Sequence, residues 1–199
     1  MENTTKSRIL EEALVMFAEN GYKGSNLRDL AQRLGLSKSA LYRHFESKED
    51  IWNSLIDTMS KYYDERFGSE ENLPAVPDSC EELTALTMGM VDFTVNDRNI
   101  ILLRKLITSE QFRDEKVAPL ATKHFLTGTE RMFAYLFKEM MGKKLLREDD
   151  PDILALEFTA PITALIHLCD REPDRKLEAT ERIRSFVIHF ISTYSTEGV

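Results

Sequence analysis

The residues best placed to do chemistry lie near the amino terminus, where Leu34-Gly35-Leu36 separates two short helical stretches. Glycine permits a tight turn there, and Leu30, Leu36 and Leu41 can pack the two stretches together. Ser37 can cap the second stretch, and the small residues Ser39 and Ala40 let its outer face approach a base edge closely. Such a pair is a helix-turn-helix, whose second helix enters the major groove while the first braces it across the backbone. The local charge suits a polyanion: Lys23, Arg28, Arg33, Lys38, Arg43 and Lys48 stand against only Asp29 and Glu46. The 199-residue chain has a net charge of −8, so a basic stripe is attached to an acidic body.

Catalytic chemistry finds no comparable set. The four histidines, His44, His124, His167 and His189, are not paired at helical ligand spacing. There is no nucleophile elbow, phosphate loop or paired-cysteine motif. Cys80 and Cys169 read as structural thiols. No catalytic residue, metal site or cofactor is expected, and His167, in an apolar helix, reads as a core histidine ahead of a ligand-orienting one.

The elements that must position the basic stripe follow from periodicity. Ile9, Leu10, Ala13, Leu14, Phe17 and Ala18 line one helix face, and Gly21 supplies its stop. A second helix starts at Ser25 or Asn26 and carries Leu27, Leu30, Ala31 and Leu34, ending at Gly35. A third spans Lys38 to Phe45, anchored by Leu41 and Phe45. Ser47-Lys48-Glu49-Asp50 opens a fourth, running to about Phe67 with Ile51, Leu55, Ile56, Met59, Tyr62 and Tyr63 on its buried side. Gly68 to Asp78, with Pro74 and Pro77, is the linker candidate. Helices then resume over residues 80–94, 98–108, 119–141, 151–168 and 174–194, with Gly128 breaking the third of these. The reading is an all-α chain of about nine helices, divided into a helix-turn-helix domain (1–47) and a second domain (48–199) joined by the connecting helix 48–67.

With 42% apolar and 30% charged residues, the chain has the composition of an ordinary globular protein. Its longest apolar runs, Ala13 to Ala18 and Met132 to Phe137, fall far short of the roughly 20 residues a membrane span needs. Glu11 and Glu12 break the first apolar stretch, which does not resemble a signal peptide. A cytoplasmic location is expected.

The run from Gly21-Tyr22-Lys23-Gly24-Ser25-Asn26-Leu27-Arg28-Asp29-Leu30-Ala31 through Leu34-Gly35-Leu36-Ser37-Lys38-Ser39-Ala40-Leu41-Tyr42-Arg43-His44-Phe45-Glu46-Ser47-Lys48-Glu49 resembles the DNA-binding signature of TetR-family regulators. The resemblance is strong over Ile9 to Ile56. Residues 108–114 and 156–162 are similar to segments of that family's C-terminal domains, and beyond these the agreement is in helix count and length.

The resemblance implies an N-terminal three-helix DNA-binding domain followed by a helical effector-binding and dimerisation domain. It implies phosphate contacts from Ser25, Asn26, Tyr42 and Lys48, base reading by Lys38, Ser39, Ala40 and His44, either role for Arg28, and a place for Ser37 among the DNA-binding residues; packing against helix one is the competing reading for Tyr42 and His44. This sequence departs from the family near Ser39, where glycine or proline is frequent, and near Ala40, where threonine is. The operator sequence is therefore not inferred.

The resemblance also implies a four-helix dimer interface formed by the last two helices of each subunit. Their apolar stripes are Phe158, Ile162, Leu165 and Ile166, then Ile183, Phe186, Val187, Phe190, Ile191 and Tyr194; an intramolecular core is the competing reading, and each helix is expected to serve both purposes. For the effector cavity, between helices five and eight, the candidates are Met88, Phe93, Leu103, Phe125, Met132, Phe133 and His167, a set equally able to be plain core. The expected partners are double-stranded operator DNA, a small apolar or amphipathic effector and a second copy of the chain. The expected function is a ligand-responsive regulator, a repressor released by its effector. The alternative is a helical protein that binds a small molecule or partner and does not meet DNA.

Overall fold

The computed structural model describes residues 4–68, 73–115 and 117–196. Of the expected linker, residues 69–72 lie outside the described residues. The fold is all-α among the described residues, apart from an isolated antiparallel bridge between Leu146 and Ser195. Packing divides the chain into two compact units, Met1–Arg66 with Arg98–Ala118, and Phe67–Asp97 with Pro119–Val199.

The first unit holds α1 (Thr5–Gly24), α2 (Leu27–Arg33), α3 (Lys38–Tyr42), α4 (Lys48–Phe67) and, from further along the chain, α6 (Arg98–Glu110). A capping box opens α1: the Ser7 N–H donates to the Thr4 hydroxyl at 3.2 Å, and the Thr4 N–H donates to the Ser7 hydroxyl at 3.1 Å. Gly21, at φ 72°, turns the chain out of helical geometry before α1 ends. Leu14, Phe17, Leu30, Leu41, Phe45, Ile51 and Leu55 are fully buried and join α1 to α4 in one core. Trp52 adds an aromatic tie, its ring centroid lying 5.6 Å from Phe17 and 4.9 Å from Tyr22.

The sequence placed the domain boundary at 47/48, whereas by packing α4 and α6 belong with the helix-turn-helix. α6 packs along α1, with Ile100, Leu103, Leu106 and Ile107 buried. A three-helix module of this size offers little core of its own, and the added helices enlarge it.

The second unit holds α5 (Cys80–Asn96), α8 (Gly128–Gly142), α9 (Pro151–Arg171) and α10 (Lys176–Tyr194). The expected helix from Pro119 to Met141 is a single run made of α7 (Ala118–Thr122), a π-helical turn (Lys123–Thr127) and α8. Counting that run as one gives nine helices among the described residues, besides a single 3-10 turn at Pro173–Arg175. α9 starts at an Asp150 cap that accepts from the Asp152 and Ile153 amides, with Pro151 in its first turn. By length and composition α9 could cross a membrane. Here Leu154, Ala155, Phe158, Thr159 and Ile162 bury one side of it in the unit's core, as a core helix does.

Gly128 is the residue that permits the π turn. A Cβ at that position would lie 2.7 Å from the Lys123 carbonyl oxygen, closer than carbon and oxygen tolerate. Gly128→Ala is therefore expected to lower stability by about 1–3 kcal/mol, the usual cost of forcing a group into filled space. Urea denaturation checks this, and an unchanged midpoint would mean that the turn relaxes to α-helix at no cost.

Candidate nucleic-acid interface

Local chemistry starts both helices of the motif. The Asn26 side-chain oxygen accepts the Arg28 and Asp29 amides, both at 3.0 Å, and its amide nitrogen donates to Asp29 at 2.6 Å. Asn26 is thus the N-cap of α2. Gly35, at φ 65°, makes the turn. Ser37 then caps α3 by accepting the Ala40 amide at 3.1 Å, and its hydroxyl lies 3.0 Å from that of Ser39. α3 is shorter than the expected Lys38–Phe45, but turn hydrogen bonds from His44 and Phe45 to the Leu41 carbonyl carry the chain on to Phe45.

Leu41 and Phe45 point inward and are closed to solvent, while Lys38, Ser39, Tyr42, Arg43 and His44 are exposed and Ala40 is half-buried. Arg28 is exposed on α2. The Lys38 ammonium sits 5.6 Å from the Tyr42 ring centroid, so a cation and a phenol hydroxyl share one side of the helix. A short, capped helix with an apolar inner face and a hydroxyl-rich, cationic outer face can place small polar groups against base edges and a phosphate at its margin.

Three expected phosphate ligands make contacts within the protein. Ser25 is buried, and its hydroxyl donates to the Gly21 carbonyl at 2.8 Å, because the chain folds back on α1 at this turn. Asn26 uses its side-chain carbonyl on the Arg28 and Asp29 amides at the start of α2. The Lys48 ammonium turns inward, donating to the Ser25 carbonyl at 2.5 Å and lying 4.4 Å over the Tyr22 ring. Burial pushes its pKa below the ordinary lysine value, an effect that the Glu110 carboxylate partly opposes. Arg33, counted in the basic stripe, is held by Glu12 at 3.2 Å and Glu19 at 2.9 Å.

The residues assigned to dimerisation contribute to the chain's own core. Phe158, Ile162, Ile183, Val187, Phe190 and Ile191 are buried inside the second unit, and Leu165, Ile166, Phe186 and Tyr194 are half-buried. The apolar groups left outside on these helices are Ile153 and Leu156 on α9 and Leu177 and Ile188 on α10, with the exposed alanines Ala160 and Ala164.

The expected cavity residues do not form one set within a unit. Met132 and Phe133 are core, Leu103 is buried on α6 in the first unit, and Phe93 is half-buried. Phe125 meets His167 edge-on at 5.4 Å. Met88 lines a cleft of about 500 Å³ floored by Val91 and Val95 and rimmed by Asp92, Lys176, Leu177 and Arg184.

Sequence reasoning missed Tyr22 and Glu110, which lie near the Lys48 ammonium, and Trp52, whose ring packs against Tyr22. Glu110 had a legible signal, a carboxylate in helical phase with Leu103, Leu106 and Ile107.

Fold and site define a helix-turn-helix protein whose α3 is carried by a five-helix unit and followed in the chain by a second, helical unit. Residues 9–55 match the family of bacterial regulatory proteins named for tetR. Over 58 residues the chain is 31% identical to the negative transcriptional regulator IcaR of the icaADBC biofilm operon in Staphylococcus epidermidis. That match spans 29% of this chain and 31% of IcaR.

Solved structures match over nearly the whole length. A tetR-family regulator from Mesorhizobium loti superposes with TM-score 0.71 at 20% identity, covering 98% of this chain and 100% of its own. SmeT, repressor of the Stenotrophomonas maltophilia efflux pump SmeDEF, gives 0.67 at 19% identity, covering 98% and 93%. A regulator from Saccharomonospora viridis in complex with choline gives 0.71 at 19%, covering 96% and 98%. These likenesses establish the fold.

Proposed function

We propose that this chain is a transcriptional regulator, a repressor that binds an inverted-repeat operator as a homodimer and is released by a small apolar or amphipathic effector. The observation that carries the reading is the outer face of α3, where Lys38, Ser39, Tyr42 and His44 are exposed while Leu41 and Phe45 anchor the helix. Arg28 adds a cation from the bracing helix. Repression has support in the relatives, since IcaR is a negative regulator and SmeT a repressor. DNA as partner puts the protein in the cytoplasm. Effector binding draws support from the Met88 cleft and from the choline complex of a protein with this fold. The exposed Ile153, Leu156 and Ile188 supply an apolar face for a second copy, whose reading helix would enter the groove one turn away, about 34 Å along the duplex.

Selection of bound sites from random duplex DNA tests the reading. The native protein should recover an inverted repeat, and Lys38→Ala should recover a repeat with changed preference at one position per half-site, worth about 1–3 kcal/mol. Recovery of no sequence by the native protein would overturn the regulator reading in favour of a helical partner-binding protein. An unaltered repeat from Lys38→Ala would remove Lys38 from base reading.

A further inference from the structure

Glu110 is a carboxylate that neither base reading nor dimerisation uses, and its side chain is only 3% exposed. It ends α6 and accepts the Tyr22 backbone N–H at 3.3 Å, 88 residues away in sequence. Gly21 makes this approach possible: a Cβ there would stand 2.8 Å from the Glu110 Oε1 atom. The φ of 72° at Gly21 is also one that a side chain disfavours. A buried carboxylate is costly unless compensated. Here the compensation is the Tyr22 amide, the Arg113 guanidinium at 3.9 Å and the nearby Lys48 ammonium.

Those contacts converge on the turn from α1 into α2. Lys48, at the start of α4, holds the Ser25 carbonyl, the Ser25 hydroxyl holds the Gly21 carbonyl, and Asn26 next to it caps α2. The position of α2 fixes that of α3, because the two helices pack together and Leu30 and Leu41 on them are both closed to solvent. We propose that Glu110 is a positioning residue for DNA reading: delivered by α6, its carboxylate locks the α1–α2 turn and Lys48 in the arrangement that presents α3. This rests on the DNA-binding reading. It makes Lys48 an internal brace, and makes α6 a required part of the DNA-reading unit.

The test uses the full chain with Glu110→Ala, Glu110→Gln, Gly21→Ala and, as a control for general weakening of the same helix, Leu106→Ala. Operator affinity is measured against salt well below each melting temperature. Emission from Trp52, the one tryptophan, is read without DNA, since its ring lies against Tyr22. Glu110→Ala and Gly21→Ala are expected to lose operator affinity about tenfold or more. The slope of log affinity against log salt should stay unchanged, because no phosphate contact is removed; a lost contact would lower it by about one unit. Glu110→Gln keeps an acceptor for the Tyr22 amide and should lie between, which also covers the case in which Glu110→Ala fails to fold. Trp52 emission should shift to the red in Glu110→Ala and Gly21→Ala and stay in place in Leu106→Ala. Native affinity in the Glu110 variants, a slope lowered by one unit, or an equal loss in Leu106→Ala would overturn the proposal. Should the native protein bind no DNA, the regulator reading falls and the DNA-positioning role of Glu110 falls with it, while an unshifted Trp52 emission in Glu110→Ala, with DNA binding intact, would overturn the brace itself.

Discussion

Replacing Phe158 with alanine is expected to lower the stability of the second unit by about 3–5 kcal/mol, the range for truncating a fully buried phenyl ring. Phe158 is closed to solvent and sits at the centre of an aromatic cluster. Its ring centroid lies 4.8 Å from Phe133, 5.4 Å from Phe137, 6.0 Å from Phe186 and 4.7 Å from Phe190. Edge-on and tilted aromatic pairs at such distances contribute beyond their buried area. Those four rings also touch one another, so no single ring can swing into the vacated space without losing a partner. The upper part of the range follows, since the cost rises with the volume left empty. Urea titration followed by circular dichroism checks it, and a loss under about 1.5 kcal/mol would mean that the cluster collapses into the gap.

Placing a carboxylate on the exposed face of α10, Ile188→Glu, is expected to separate the proposed dimer and to lower operator affinity at least a hundredfold. Ile188 is 55% exposed within the single chain, so the substitution leaves the protomer's own core intact. In a dimer packed on this face the same carboxylate would be buried without a partner, which is strongly unfavourable. The operator effect is larger than the contact itself because two reading helices held in one particle bind as a linked pair, a gain of about 10²–10⁴ that a monomer forfeits. Sedimentation at micromolar concentration reads the association state, and operator titration reads the affinity. A dimer that survives both Ile188→Glu and Leu156→Glu would move the interface to another face.

The contrast between Ile188 and the residues first assigned to dimerisation shows where the sequence was ambiguous. Helical phase identifies Phe158, Ile183, Val187 and Phe190 as one apolar stripe each on α9 and α10. It does not say whether a stripe faces its own chain or a copy. The chain's own elements take the strongest stripes, and α9 and α10 pack together through Phe158 and Phe190. In the same way, Lys48 counted toward a basic stripe although its ammonium turns inward to the Ser25 carbonyl.

What the sequence determined by itself is what short-range physics sets. Asn26 and Ser37 cap their helices, Gly35 turns between them, and Leu30 and Leu41 fall on inner faces, so the helix-turn-helix and its exposed Lys38, Ser39 and Tyr42 could be read within twenty residues. The all-α class and the segmentation into nine helices follow equally from local periodicity, caps and breakers. The tertiary structure alone decided which unit α6 joins, what Lys48 and Ser25 bond, and which groups of α9 and α10 remain outside. Each of these depends on surfaces brought together from distant parts of the chain, as Glu110 is brought to Tyr22. Burial and hydrogen bonding between such surfaces arise only once the elements have packed, and no single stretch of sequence encodes them.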